Sequence, residues 1–516
     1  MLKIVTAQLK VQPGHPSENT ENMLTMIAQA KEQGADLIIF PEMAVPGYLL
    51  GDTWEQYAFL KDCEECGQDI INASQDIAII FGNVAVDWEK KNYDGRVRKY
   101  NALFTAWQGK LVQPRNMPYP YVIKTLLPNY REFDDTRYFF GLKQLAEEMG
   151  TQAAKLIGTV PLTIKGQDYN IGGFLCEDGW SEDYNLAPVE ILTRQGVDML
   201  VNISASPYTL GKNGKRHRVF GKQAKAAGVP LFYVNNVGIQ NNGKTVYTFD
   251  GSSTLYNGQG LMVDCLPKYQ QGMGIYELDK IQAMPKFQRE KKPDIAHIFT
   301  AIEYAVKEFL ADIHMDKVVI GISGGIDSAV AAALYAHILG PEKVLLVNMP
   351  SVYNSATTKG LAQELAVNLG CNYTIMPIQE SVDHTIDQLE HIPVTFLKDG
   401  SKFNLQVSSF VAENIQARDR SARVLAGAAA ACGGGFTCNA NKAETTVGYS
   451  TLYGDQSGFL CALADLWKHQ VYDLARYMNQ VVYGREVVPQ ATIDIVPSAE
   501  LSNAQNVDEG LGDPIK

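Results

Sequence analysis

The stretch Val318-Val-Ile-Gly-Ile-Ser-Gly-Gly-Ile-Asp-Ser328 constrains this 516-residue chain more than any other. It reads as a buried strand over 318–322, a loop of small residues, and an Ala-rich helix over 329–339. A strand that feeds a helix through Gly324-Gly325 aims backbone N–H groups at one point, and the helix N-terminus adds positive potential there. The expected occupant is an anion, most plainly a phosphate. Glycine lets the backbone approach a phosphate without a Cβ in the way. Ser323 and Ser328 add hydroxyls. Asp327 is the odd member: a carboxylate repels phosphates unless a cation bridges them, which implies Mg2+.

The spacing excludes the common phosphate loop, because there is no Gly-x-x-x-x-Gly-Lys-Ser/Thr and no lysine follows the glycines. The Ser-Gly-Gly-x-Asp-Ser string instead resembles the N-type ATP pyrophosphatases, which cut ATP between the α and β phosphates, adenylate a substrate and hold the departing pyrophosphate in this loop. The resemblance implies ATP contacts from Gly321, Ile322, Ser323, Gly324, Gly325, Ile326, Asp327 and Ser328. Around the loop, a helix over 295–311, a strand over 343–349, a helix over 357–369 and a strand over 373–378 alternate. Such alternation predicts right-handed crossovers and a doubly wound parallel sheet, with the ligand beyond the strand C-termini.

The first half is also α/β. Strands are predicted over 3–9, 36–40, 77–86, 102–107, 171–176, 199–203 and 231–237, with helices over 21–33, 187–195 and 220–227. Three residues at strand ends or in loops stand out. Glu42 sits in Phe40-Pro-Glu-Met-Ala-Val-Pro-Gly-Tyr48, Lys124 opens Lys124-Thr-Leu-Leu-Pro-Asn-Tyr-Arg-Glu-Phe-Asp-Asp-Thr-Arg-Tyr138, and Cys176 ends the strand Gly172-Gly-Phe-Leu-Cys176. A cysteine nucleophile needs a base and an oxyanion-stabilising donor, and Glu and Lys serve those needs. Singly, each has a plain reading as a solvated carboxylate, a surface lysine or a packed strand thiol. Together and in this order they resemble the Glu-Lys-Cys triad of the nitrilase (carbon–nitrogen hydrolase) superfamily.

That second resemblance covers about residues 1–275 and implies a four-layer α-β-β-α nitrilase-like sandwich. It is closest to the superfamily's glutaminase domains, where a thiolate attacks the glutamine carboxamide and water hydrolyses the thioester. By motif position it implies that Tyr130, Ser206 and Lys212 hold glutamine. Glu132 is a candidate second carboxylate near the sulfur. His217, between Arg216 and Arg218, is expected to face solvent.

Residues 279–294 are charged, contain two prolines and read as a linker between a domain over 1–278 and one over 295–516. Further on, Glu413-Asn-Ile-Gln-Ala-Arg-Asp-Arg420 reads as helical, with Asn414, Arg418 and Ser421 on one face. Asn441-Lys-Ala-Glu-Thr-Thr-Val-Gly-Tyr-Ser-Thr-Leu-Tyr-Gly-Asp455, Asp465-Leu-Trp-Lys468 and Pro497-Ser-Ala-Glu-Leu501 follow. With the nitrilase-like half in front, these strings resemble the glutamine-dependent NAD synthetases over essentially the whole chain. The resemblance implies an adenine nucleotide α-hydrolase-like second domain in which Asp327 and Glu444 share Mg2+ and Lys468 and Ser498 contact ATP phosphates. Asn414, Arg418, Glu444 and Asp455 are then expected on the deamido-NAD side. It also implies ATP as co-substrate, an ammonia tunnel and a homo-oligomer formed through the synthetase domain.

The pattern is broken in two places. Where the family has an apolar strand ending Thr-Thr-Gly, this chain has Gly433-Gly-Gly-Phe-Thr-Cys-Asn-Ala440, so the usual threonine contact to ATP falls at Asn439 or Thr437. The sequence also stops at Lys516, where the family continues with further helices and a substrate-binding lysine. Two alternatives remain: another glutamine amidotransferase–ATP pyrophosphatase ligase, and a nitrilase-type amidase with a regulatory nucleotide-binding domain. The block Asn441 to Asp455 speaks against the first. The metal pair Asp327 and Glu444 beside Lys468 speaks against the second, since a sensor needs none.

The net charge of −12 argues against bulk nucleic-acid or anionic-membrane binding. The N-terminus alternates like a strand and has no apolar core of a signal peptide, and the run over 424–436 is too short and glycine-rich to span a membrane. A cytoplasmic enzyme is expected. Eight cysteines in so long a chain suggest no disulfide framework, and Cys63-x-x-Cys66 reads as chance placement on a helix.

Overall fold

The computed structural model describes residues 1–131, 133–241, 243, 245–288, 290–497 and 500–501. The chain divides into two compact units, Met1–Lys291 and Lys292–Lys516.

In the first unit the strands are β1 (Lys3–Gln8), β2 (Leu37–Ile39), β3 (Ala78–Lys91), β4 (Val97–Trp107), β5 (Lys110–Leu111), β6 (Val122–Ile123), β7 (Val160–Ile164), β8 (Gln167–Leu175), β9 (Met199–Ser204), β10 (Leu231–Asn235), β11 (Val237–Asn241), β12 (Val246–Asp250), β13 (Thr254–Tyr256), β14 (Met262–Cys265) and β15 (Gly272–Glu277). One sheet runs β15-β1-β2-β3-β4-β5, with β6 also on β4; the other runs β14-β13-β10-β9-β8-β7. Each has three parallel strands at its centre, β1-β2-β3 and β8-β9-β10, flanked by antiparallel ones.

Side-chain alternation explains the layering, because neighbours along a strand face opposite sides. Ile4, Leu37, Ile39, Ile80, Val201, Ile203, Phe232 and Val234 share one core between the two sheets. Their neighbours Val5, Ile38, Ile79 and Phe81 pack instead on the helices Pro16–Glu32 and Tyr57–Asn72. Leu200, Leu231 and Tyr233 pack on Pro188–Arg194 and Lys212–Ala227. Strands apolar on both faces are buried on both faces, and the result is an α-β-β-α sandwich. Ile281, within the stretch read as linker, is fully buried in the inter-sheet core.

The second unit has β16 (Val318–Gly321), β17 (Val344–Asn348), β18 (Asn372–Ile375), a small hairpin β19 (Val394–Thr395) with β20 (Lys402–Phe403), and β21 (Gly435–Phe436). Its parallel sheet runs β18-β17-β16-β21. Val318, Ile320, Val344 and Leu346 pack on one side with the helices Asp294–Asp312, Ile326–Leu339 and Lys468–Tyr477. Val319 and Val347 pack on the other with Val382, Val424 and Leu425. The chain steps from β16 to β17 and β18 on one side and returns to β21 on the other. The strand order therefore reverses at β16, and the crevice beyond its C-terminus is the place where such sheets take ligands. Among the described residues no helix is long and apolar enough to cross a membrane.

Candidate active sites

In the first unit Glu42 follows β2, Lys124 follows β6, and Cys176 follows β8. All three are buried. Lys124 Nζ lies 2.8 Å from Glu42 Oε1 and 2.8 Å from Asp135 Oδ2. Glu42 is held from two further sides: Asn101 Nδ2 donates to Oε1 at 2.8 Å and the Ala205 backbone N–H to Oε2 at 2.8 Å. Burial alone would lower the pKa of the Lys124 ammonium, but Asp135 and Glu42 outweigh it and hold it well above its usual value. Lys124 is thus a fixed cation.

Cys176 lies one residue past the strand predicted to contain it. It opens the tight turn Cys176–Gly179 with φ +34°, a backbone conformation that is strained for a residue with a Cβ. Burial, then Glu42, push its thiol up; Lys124 and Lys212 pull it down. A thiol in that setting needs a base and a nearby cation to become a thiolate, and Glu42 and Lys124 are the groups acting on it.

Two carboxylates here were not singled out from the sequence. Asp135 is the second partner of Lys124 and accepts at 2.5 Å from the Tyr48 hydroxyl. Asp178 accepts backbone N–H groups from Thr125 at 3.0 Å, Leu126 at 2.8 Å and Leu175 at 3.3 Å, tying the Lys124 segment to the Cys176 turn. Burial pushes Asp178 up to about 7 against those donors. The sequence signal for Asp135 was its place in the Lys124–Tyr138 string. The expected second carboxylate, Glu132, lies outside the described residues.

The Tyr130 hydroxyl donates to Glu177 Oε1 at 3.0 Å, next to the nucleophile. Ser206 is buried, its N–H donating to Asn235 Oδ1 at 2.9 Å. Lys212 begins the helix Lys212–Ala227 and donates from Nζ to Pro207 O at 2.9 Å. That helix starts well before the predicted 220, since its first turns are too polar to read as amphipathic. The same polarity misplaced His217. Arg216 is fully buried, stacked over Tyr233 and bonded to Asn213, so His217 is half-buried with Nδ1 2.8 Å from the Tyr256 hydroxyl rather than in solvent.

In the second unit the helix begins at Ile326, so Asp327 and Ser328 lie in its first turn rather than in the loop before it. Ser323 and Ser328 share a hydroxyl contact at 3.3 Å, and Gly325 N donates to Ser323 Oγ at 3.2 Å. Gly324 has φ +88°, and a Cβ there would run into the Thr358 carbonyl oxygen. No other residue makes this turn.

Lys468 Nζ donates to Asp327 Oδ2 and lies 3.8 Å from Glu444 Oε1. Asn441 Nδ2 donates to Asp327 Oδ1 at 2.9 Å, while its own Oδ1 caps the helix Lys442–Val447 that carries Glu444. Burial, then Asp327, push Glu444 up to about 7 against the pull of Lys468. Two carboxylates on one ammonium leave negative charge in excess, a set of hard oxygens that fits Mg2+. Asn439 Nδ2 donates to Gly321 O at 3.2 Å and Thr437 Oγ1 to Asn439 Oδ1 at 2.8 Å, so both sit at the β16 end.

A second group lies along the helix Ser409–Arg418. Asn414 accepts from Thr451 Oγ1 at 2.9 Å, Thr451 N donates to Asp455 Oδ1 at 2.6 Å, and Arg418 Nε donates to Leu452 O at 3.3 Å. Asn414, Arg418 and Asp455 therefore all contact the 451–455 loop. Ser421 joins them, its hydroxyl donating to Tyr453 O at 2.8 Å. Ser498 lies outside the described residues.

Residues 3–286 match the family model of carbon–nitrogen hydrolases and residues 298–515 that of NAD synthase. A glutamine-dependent NAD(+) synthetase of Synechocystis sp. is 33% identical over 98% of this chain and 85% of its own length. One from Acinetobacter baylyi is 30% identical over 99% of this chain and 85% of its own. A glutamine-dependent NAD+ synthetase of Acinetobacter baumannii, solved with adenosine diphosphate, superposes with a TM-score of 0.78 at 29% identity, covering 96% of this chain and 85% of that one. The chain belongs to the glutamine-dependent NAD(+) synthetase family, with a carbon–nitrogen hydrolase unit followed by an NAD synthase unit.

Proposed function

We propose that the protein makes NAD from deamido-NAD, ATP and glutamine. The observation that carries this reading is the fixed Glu42–Lys124–Asp135 cluster beside the Cys176 turn, in a chain that also gathers Asp327, Glu444 and Lys468 at a phosphate loop. In the first unit Glu42 takes the Cys176 proton, the thiolate attacks the glutamine carboxamide, and Lys124 steadies the oxyanion. Glu42 returns the proton to the leaving ammonia, and then activates the water that hydrolyses the thioester to glutamate. Tyr130, Ser206 and Lys212 hold glutamine.

In the second unit the loop from Gly321 to Ser328, with Asn439, Lys468 and Ser498, binds ATP, and Asn414, Arg418, Glu444 and Asp455 face deamido-NAD. The nicotinate carboxylate attacks the α-phosphorus, pyrophosphate leaves against the loop N–H groups and Lys468, and ammonia displaces AMP. Mg2+, held by Asp327 and Glu444, would supply charge neutralisation on the phosphates. The family resemblance also implies a homo-oligomer, and the exposed apolar Phe396, Leu397, Phe403 and Phe410 of the second unit support self-association. Light scattering on the purified chain tests this.

The function is tested by the nitrogen source. Cys176→Ala is expected to abolish NAD formation from glutamine and to leave formation from ammonia intact. Equal loss with both sources would overturn the assignment of Cys176.

A further inference from the structure

Cys438 and Cys461 lie side by side as a parallel β-bridge pair. Backbone bonds on both sides fix this register: Cys438 N donates to Leu460 O at 3.1 Å and Phe459 N to Phe436 O at 3.0 Å. Residues so paired point to the same face, with neighbouring strands about 4.8 Å apart. A disulfide spans Cα separations of about 4.4–6.8 Å, so the backbone need not move to accept one. Both side chains are half-buried thiols within reach of small reagents. The Cys461 thiol lies 3.1 Å from Ala440 O, and the Cys438 thiol 3.5 Å from Asp455 O.

Their place in the fold gives the pair a consequence. Cys438 sits between Thr437 and Asn439, just ahead of Asn441, which holds Asp327 and caps the Glu444 helix. Cys461 lies on the segment that runs into Lys468. The two thiols thus join the two segments that bring the polar groups to the phosphate loop. They also bond the Asp455 and Ala440 carbonyls, which a disulfide would release, because its sulfurs must turn to within about 2.05 Å of each other.

We propose that Cys438 and Cys461 are a modification site: a low-molecular-weight disulfide oxidises them to an intramolecular disulfide that lowers turnover in the synthetase unit, and thiols reverse it. The inference rests on the synthetase reading above for its effect on turnover, though not for the formation of the bond. The neighbouring Cys461 thiol holds Cys438 below its ordinary pKa, so Cys438 is the attacking thiolate. It displaces one thiol from the small disulfide and forms a mixed disulfide. Cys461, losing its proton, attacks the Cys438 sulfur and expels the second thiol. Two protein thiols and one small disulfide become one protein disulfide and two small thiols.

The test equilibrates the full chain in graded ratios of reduced to oxidised glutathione. One portion is acid-quenched, alkylated, digested and weighed. Another is assayed for AMP release with ATP, Mg2+, deamido-NAD and ammonia, which takes Cys176 out of the measurement. The expected result is a joined Cys438–Cys461 peptide, about 2 Da lighter than its two parts, with AMP release lost at the same ratio and restored by dithiothreitol. Cys438→Ser and Cys461→Ser should each keep reduced-state activity and lose the redox response, whereas Cys432→Ser should keep it. No joined peptide, or a joined peptide with unchanged AMP release, would overturn the proposal. So would a full response in both serine variants. A reduced chain that releases no AMP contradicts the function reading instead, and the joined peptide still decides whether the bond forms.

Discussion

At the scale of single residues, both sites are organised around a lysine set among carboxylates. Lys124 sits between Glu42 and Asp135 with almost no exposure. Lys124→Met should leave two buried carboxylates without a cation, destabilise the first unit by about 3–5 kcal/mol and end glutamine hydrolysis. Chemical denaturation and glutamate release check both. Glu444, at about 7, is half-protonated near neutrality. A proton there competes with a cation, so Mg2+ affinity should rise with pH through about 7 and level off above it. Glu444→Gln should flatten that rise, read by Mg2+ titration of ATP binding. Asp178, also at about 7, stands well above the value of about 3.9 of an unfolded aspartate. A carboxyl so raised favours the folded state below the unfolded value, and that contribution is lost as pH climbs to about 7. Asp178→Asn should therefore make thermal stability fall less between pH 4 and 7.

At the scale of elements, close backbone approaches place the chemistry. A Cβ on Gly82, in β3, would lie 2.6 Å from Glu42 Cα and would also strike Met43 N. Gly82→Ala should push the Glu42 loop off the sheet, cost about 1–3 kcal/mol, and lose glutamine use while sparing ammonia use. The strings carrying Glu42, Lys124 and Cys176 were legible because each holds its residue at a strand end within a few specified neighbours. Two of their partners were not: Asn101 and the Ala205 N–H reach the site only through sheet pairing and loop return, and no local spacing encodes that. Helix starts failed for a local reason. The turn Ile326-Asp-Ser reads as loop because its polar residues serve the site, and Lys212–Arg218 reads as surface although Arg216 is buried. The four-layer sandwich, in contrast, was legible through the resemblance to the nitrilase superfamily, and the parallel sheet of the second unit through its alternation of strands and helices.

At the scale of the whole molecule, the chain is two compact units with separate cores and separate chemistries. Variants should sort accordingly: changes at Lys124 or Gly82 remove glutamine use alone, whereas Lys468→Met should stop NAD formation from both nitrogen sources. The central claim is that the second unit adenylates deamido-NAD. The most direct measurement is AMP release from ATP and Mg2+ in the presence of glutamine, with and without deamido-NAD. The account predicts AMP only when deamido-NAD is present, with NAD formed in step. AMP released equally without deamido-NAD, or glutamate accumulating with no AMP at all, would contradict it.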